Sequence, residues 1–171
     1  THVVTITIGY AGCVAAGLAG HVYLLLALMR STTAAKLKSI ARAVYGLLAF
    51  GLVFSFLGTI MLLPSLGVSL DMLAALDQAR GGSGALLIVL WCAFLFHARI
   101  GNWIGDRGMA AGSVLGVIIV LMAWLGINLL GVGLHSYGFT SGLSLGFWTT
   151  VAVELLFVAA TLPFARRPDA A

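Results

Sequence analysis

The sequence predicts an all-α fold, a polytopic membrane helical bundle of about five transmembrane helices, on three observations. Composition is the first: 61% of residues are hydrophobic and 8% charged, with a mean hydropathy of +1.13, far outside the range of a soluble domain. The second is run length. Apolar stretches at about 5–29, 43–64, 84–100, 110–131 and 145–165 meet or approach the roughly 20 residues a helix needs to cross a bilayer. The third is charge segregation. Arg30, Lys36, Lys38 and Arg42 follow the first run, Arg99 and Arg107 the third, and Arg166 and Arg167 the fifth, with only Arg80 on the opposite side. The positive-inside rule makes the basic side cytoplasmic. The N-terminus and the loops 65–83 and 132–144 are then expected outside, with the C-terminus cytoplasmic, in a bacterial-type inner membrane. This pattern accounts for the net charge of +4 and gives no reason to expect nucleic acid. Residues 1–171 read as a single membrane domain.

The chain opens at Thr1, already inside an apolar pattern, which suits either a removed leader or a longer chain upstream. No charged n-region precedes the first run, so it reads as a span rather than a signal peptide. That span carries Gly9, Gly12, Gly17 and Gly20, a small-residue face suited to close helix packing or to a flat cofactor, with packing preferred. The second span has no ionisable side chain, and Pro64 is expected to end it. In loop 65–83, Ser69 suits an N-cap, Asp71 the first turn and Gly81 a C-terminal stop. An amphipathic helix over 69–80 is expected to lie at the outer interface, covering a cofactor, docking a partner or simply connecting. The third span places His97 near its inner end, and 101–109 forms a tight inner turn with Trp103 at the interface. Glu154 falls inside the fifth span, about 14 Å below its outer end. It reads as a proton acceptor beside a quinol or as a protonated side chain bonded to a neighbouring helix. Cys13 and Cys92 read as buried thiols.

The histidines carry the chemistry. His2 and His21 are separated by about 28 Å along one helix, so His2 is outer and His21 inner. His135, in the glycine-rich exit from the fourth span, is outer; His97 is inner. A lone histidine at a helix end is ordinarily a surface or capping residue, but four sorted by depth into two pairs suggest axial ligands. His2 with His135, and His21 with His97, can each supply two nitrogens to a low-spin haem iron. Zinc is disfavoured, because two nitrogens leave its shell incomplete. Without Cys-x-x-Cys-His, covalent c-type attachment to this chain is excluded, so the expected cofactor is haem b, in two copies. Arg99 suits a haem propionate or marks the membrane boundary.

Phe96-His97-Ala98-Arg99, followed by Gly126-Ile-Asn-Leu-Leu-Gly-Val-Gly-Leu-His135-Ser-Tyr137, resembles the C-terminal part of CcsA, the haem-handling membrane subunit of system II cytochrome c synthases. The opening His2-Val3 and Gly9-Tyr10-Ala11 is similar to the segment of that family bearing its first external histidine. The resemblance extends over nearly the whole chain and is most specific at 126–137. It implies that His2 and His135 are external haem ligands and that His97 binds the haem within the membrane. The family's tryptophan-rich WWD motif lies between its second and third spans, whereas residues 65–83 here contain no tryptophan.

Loss of that motif and an internal inner pair favour a CcsA-like core repurposed as a diheme electron-transfer subunit. It would link the quinone pool to an outer-face c-type cytochrome, alongside other membrane subunits and lipid, with Glu154 at a quinol site. The alternatives are a cytochrome c biogenesis protein that binds and delivers haem, with a partner supplying the missing motif, and a haem-free anchor or scaffold.

Overall fold

In a computed structural model, residues 2–65, 72–126 and 141–165 are described, with side chains over 3–61, 84–125 and 145–165. Five α-helices follow in order: α1 (His2–Met29), α2 (Ala34–Ser65), α3 (Met72–Ile100), α4 (Asp106–Leu121) and α5 (Ser141–Thr161). The end of α4 widens into a π-helical turn, Met122–Gly126. By length and composition, Val3–Met29, Ala34–Met61 and Asp106–Leu125 are apolar enough to cross a membrane, and Gly84–Ile100 and Leu145–Thr161 are shorter apolar helices. The outer surface of the bundle is apolar: Leu18 is 61% exposed, Leu90 57% and Leu156 69%. A water-facing protein does not tolerate such a surface; a lipid-facing one requires it. The chain is an integral membrane protein.

Helix boundaries depart from the apolar runs at three places, each for a local reason. Helix α2 starts at Ala34 rather than near 43, because Thr33 caps it: the Lys36 amide donates to Thr33 Oγ1 at 3.3 Å and the Leu37 amide to Thr33 O at 3.1 Å. Its basic first turns remain helical while burying Leu37 and Ala41. Helix α4 likewise starts at Asp106, whose carboxylate suits the positive end of the helix dipole. The expected separate interfacial helix over 69–80 is instead continuous with α3, which runs through Gly81 and Gly82 without stopping. Glycine weakens a helix interior but does not forbid it.

Helix α1 is the central packing element. On one side it meets α2 so closely that a Cβ on Gly12 would lie 3.0 Å from the Gly51 amide nitrogen. On the other it meets α4, where a Cβ on Gly20 would lie 2.6 Å from the Ala110 carbonyl oxygen. The packing role expected of these glycines is the one they fill. Buried side chains form two clusters. One joins Cys13, Val44, Leu48, Ile88, Cys92 and Met109; the other joins Tyr23, Leu24, Leu37, Ala110, Val114 and Val158. Two further ties cross the first cluster. The Cys13 and Cys92 sulfurs, both free thiols, are 3.7 Å apart between α1 and α3. Trp91 Nε1 donates to Gly112 O at 2.9 Å between α3 and α4.

Two outcomes test this packing. Gly20→Val should destabilise the chain by about 1–3 kcal/mol through overpacking, while Gly46→Ala, facing open space, should stay within about 1 kcal/mol of the parent. Thermal unfolding in detergent reads both. A thiol oxidant should join Cys13 to Cys92, so that cleavage within residues 30–33 no longer separates α1 from the rest on a non-reducing gel.

Candidate functional site

The site is built at the end of α3. Arg99, Ile100 and Gly101 run into Asn102, whose φ of 57° lies in the left-handed region that asparagine enters more readily than most residues. That reversal satisfies the last carbonyls of the helix: the Trp103 amide donates to Ala98 O at 2.8 Å and the Asn102 amide to Arg99 O at 3.1 Å. The same fold-back lays the indole of Trp103 edge-on against the imidazole of His97, with centroids 5.2 Å apart at 86°. His97 is exposed. Among the described residues its ring nitrogens have no hydrogen-bond partner, so the imidazole is available to an incoming ligand.

Arg99 continues from the same turn. Its Nη2 donates to Asp106 Oδ1 at 3.2 Å, and its guanidinium carbon lies 5.9 Å from the Tyr45 ring centroid. Its Nε is buried with no hydrogen-bond partner among the described residues. Behind it opens a cavity of about 1070 Å³ lined by Lys38, Arg42 and Tyr45 of α2, Arg99 of α3, the turn Trp103–Asp106, and Arg107 of α4.

His21 is placed differently. Its Nδ1 donates to Gly17 O at 2.8 Å, and its Nε2 lies 2.8 Å from Glu154 Oε2 on α5. The ring also packs on Phe157, with centroids 4.6 Å apart. A carbonyl can only accept, so Nδ1 carries a proton. The Nε2···Oε2 contact then holds one more proton, either on a carboxylic acid donating to neutral imidazole or on an imidazolium donating to carboxylate. Depth alone pairs His21 with His97; the structure joins His21 to Glu154, and in this conformation no ring nitrogen of His21 is open to iron. For Glu154 the structure builds the second of its two expected environments, a bond to a neighbouring helix. Helix α5 begins at Ser141, so Glu154 lies deeper than expected, about 20 Å along the helix.

The remaining expected ligands are only partly described. His2 begins α1, but its side chain lies outside the described side chains, and His135 lies outside the described residues altogether. Among the described residues, no three His, Cys, Asp or Glu side chains cluster as a metal site. Haem needs no such cluster, since one or two axial imidazoles suffice. The inner histidines therefore differ: His97 has a free ring nitrogen among the described residues, and His21 offers one only if Glu154 moves away.

Comparison with known proteins identifies the likeness. Cytochrome c biogenesis protein CcsA of Parasynechococcus marenigrum is 38% identical over 58 residues, covering 34% of this chain and 19% of that protein. The same-named protein of Chlorella vulgaris is 43% identical over 54 residues, covering 30% and 17%. That of Guillardia theta is 44% identical over 54 residues, covering 30% and 18%. This chain is CcsA-like. The match spans about a third of it, less than the near-complete resemblance read from the motifs, and less than a fifth of the curated CcsA relatives. No family model matches the chain, and no solved structure does.

The His21–Glu154 contact is open to a double-mutant cycle. His21→Leu and Glu154→Leu, alone and together, should give a coupling of about 0.5–2 kcal/mol, the range for hydrogen bonds between membrane helices. Glu154→Gln should retain most of the stability, because its amide can donate to a neutral Nε2. Unfolding of the four proteins in detergent measures it.

Proposed function

We propose that this chain is a haem-handling membrane protein of cytochrome c biogenesis. The observation that carries the reading is the CcsA likeness, which favours biogenesis over the fixed diheme electron-transfer subunit that the sequence first suggested. The His21 contact supports the same choice, since a permanent inner bis-histidine haem needs the nitrogen that Glu154 occupies.

In this reading His97 is the inner axial ligand. When bound there, haem supplies the group that is to be attached to a c-type cytochrome. The chain's own residues hold the imaizole side of that site in place. Trp103 fixes the plane of the His97 ring, the reversal at Asn102 fixes Trp103, and the Arg99–Asp106 pair keeps a cation beside it for a propionate. His2 and His135 are the proposed outer ligands, as in the family. A single-ligand inner site suits transfer, because one axial bond is easier to break than two. A partner on the outer face would supply the tryptophan-rich segment that residues 65–83 lack.

A pyridine-haemochrome assay on the detergent-purified chain tests this, with His97→Ala and His21→Ala side by side. His97→Ala is expected to lose inner haem and His21→Ala to keep it, and deletion in the host should abolish c-type cytochromes. Two b haems per chain, falling to one in His21→Ala, would overturn the reading in favour of the electron-transfer subunit.

A further inference from the structure

The two cysteines of the chain take no part in the proposed haem site, yet the fold brings them together. Cys13 on α1 and Cys92 on α3 are 79 positions apart, and their sulfurs stand 3.7 Å from each other. Both residues are buried, with 2% and 1% of their surface exposed. Helices α1 and α3 each pack against α2 and α4 and only slightly on one another, so the sulfurs bridge the bundle where backbone packing does not. Gly51 of α2 makes the room: a Cβ there would lie 2.5 Å from Cys13 Sγ. Around the pair the cluster is apolar, with Ala16, Val44, Leu48, Ile88 and Leu95. Such surroundings narrow the chemistry. A metal ion would find two donors, too few for a closed shell of the zinc type, and two thiolates would bring charge into a dry core. A disulfide replaces two S–H groups by one S–S bond and leaves no charge behind.

We propose that Cys13 and Cys92 form a reversible disulfide, a redox-sensitive lock between α1 and α3 whose oxidant is a small hydroperoxide. The sulfurs must close from 3.7 Å to about 2.05 Å, a movement on the scale of side-chain rotation and not of helix displacement. Burial selects the oxidant: a bulky or charged reagent finds no surface, whereas hydrogen peroxide is small and neutral. One sulfur attacks a peroxide oxygen, the O–O bond breaks, and a sulfenic acid and one water form. The second thiol then attacks the sulfenic sulfur and expels its hydroxyl as a second water. Two thiols and one peroxide thus give one disulfide and two waters. With the resolving sulfur already in place, the sulfenic acid is consumed before it oxidises further. A dithiol reductant reverses the step by exchange, leaving as its own disulfide. Closing a loop of this length restricts the unfolded chain, so the oxidised form is the more stable one. The lock needs no haem, so it stands or falls apart from the biogenesis reading.

Peptide mass spectrometry of the full chain in detergent, after graded hydrogen peroxide and without reductant, tests the proposal. A single Cys13–Cys92 cross-link within the chain is expected, at doses that leave Met29, which is 69% exposed, as the thioether. Dithiothreitol should return both thiols. The oxidised chain should unfold roughly 5–10 °C above the reduced one, a shift absent from Cys13→Ser and Cys92→Ser. In those variants the remaining thiol should advance to the sulfinic acid, because its resolving partner is gone. Cys13→Ala, which keeps the site apolar, should behave as Cys13→Ser does, so that misfolding of a serine variant cannot imitate the result. Oxidation of Met29 while both thiols persist overturns the proposal, as does a disulfide between two chains. A cross-link that leaves the unfolding temperature unchanged, or that dithiothreitol fails to open in the folded chain, also overturns it.

Discussion

Backbone-to-backbone approach along α1 is the constraint on which the other contacts depend. Lipid supplies no hydrophobic drive between helices, so association in a membrane rests on packing and on interhelical hydrogen bonds. Small residues let that packing become dense. Gly9 and Gly12 admit α2 at Gly51, and Gly17 and Gly20 admit α4 at Ala110 and Ser113. With those two neighbours fixed, Cys13 meets Cys92, and α1 has one side left on which His21 reaches α5.

Among the described residues, several polar groups inside the bundle follow one logic, while Ser55 Oγ and Arg99 Nε are buried without a hydrogen-bond partner. A partner is favoured, because the hydrocarbon region offers no water. Ser113 and Thr161 return their hydroxyls to carbonyls one turn back, Trp91 reaches a carbonyl on α4, and His21 and Glu154 satisfy one another. His97 stands apart from this pattern. It sits at the last turn of α3, where a ring nitrogen can stay unbonded because the bundle is ending and its neighbour is an indole edge. An imidazole that is positioned but not hydrogen-bonded is suited to accept a ligand, whereas one bonded at both nitrogens is suited to join helices.

The same turn organises the charged end of the bundle. The left-handed Asn102 ends α3 after Arg99 and lets α4 start four residues later, so Arg99 and Asp106 close on each other across the gap. Thr33 does the equivalent at the other turn, extending α2 into its basic segment. With the helix starting at Ala34, Lys38 and Arg42 share a helical face with Tyr45. Two short turns thus gather charges from three helices around one cavity.

The sequence by itself determined the all-helical membrane class, the five helical segments and the chain's CcsA-like character. These depend on apolar runs, on the composition of each segment and on motif identity, all of which are local. Helix starts were less legible, because a run of apolar residues marks the part that needs lipid and not the polar turns that caps such as Thr33 add. The rise of 1.5 Å per residue gives the depth at which His21 and His97 are expected along their helices. What depth cannot give is azimuth, the direction a side chain takes around its helix relative to its neighbours. Glu154, 133 positions from His21 in the chain, became its partner because close packing of α1 with α2 and α4 left that face of α1 to α5. Only the tertiary structure could decide that, because the rotation of each helix is set by which small residues meet across it.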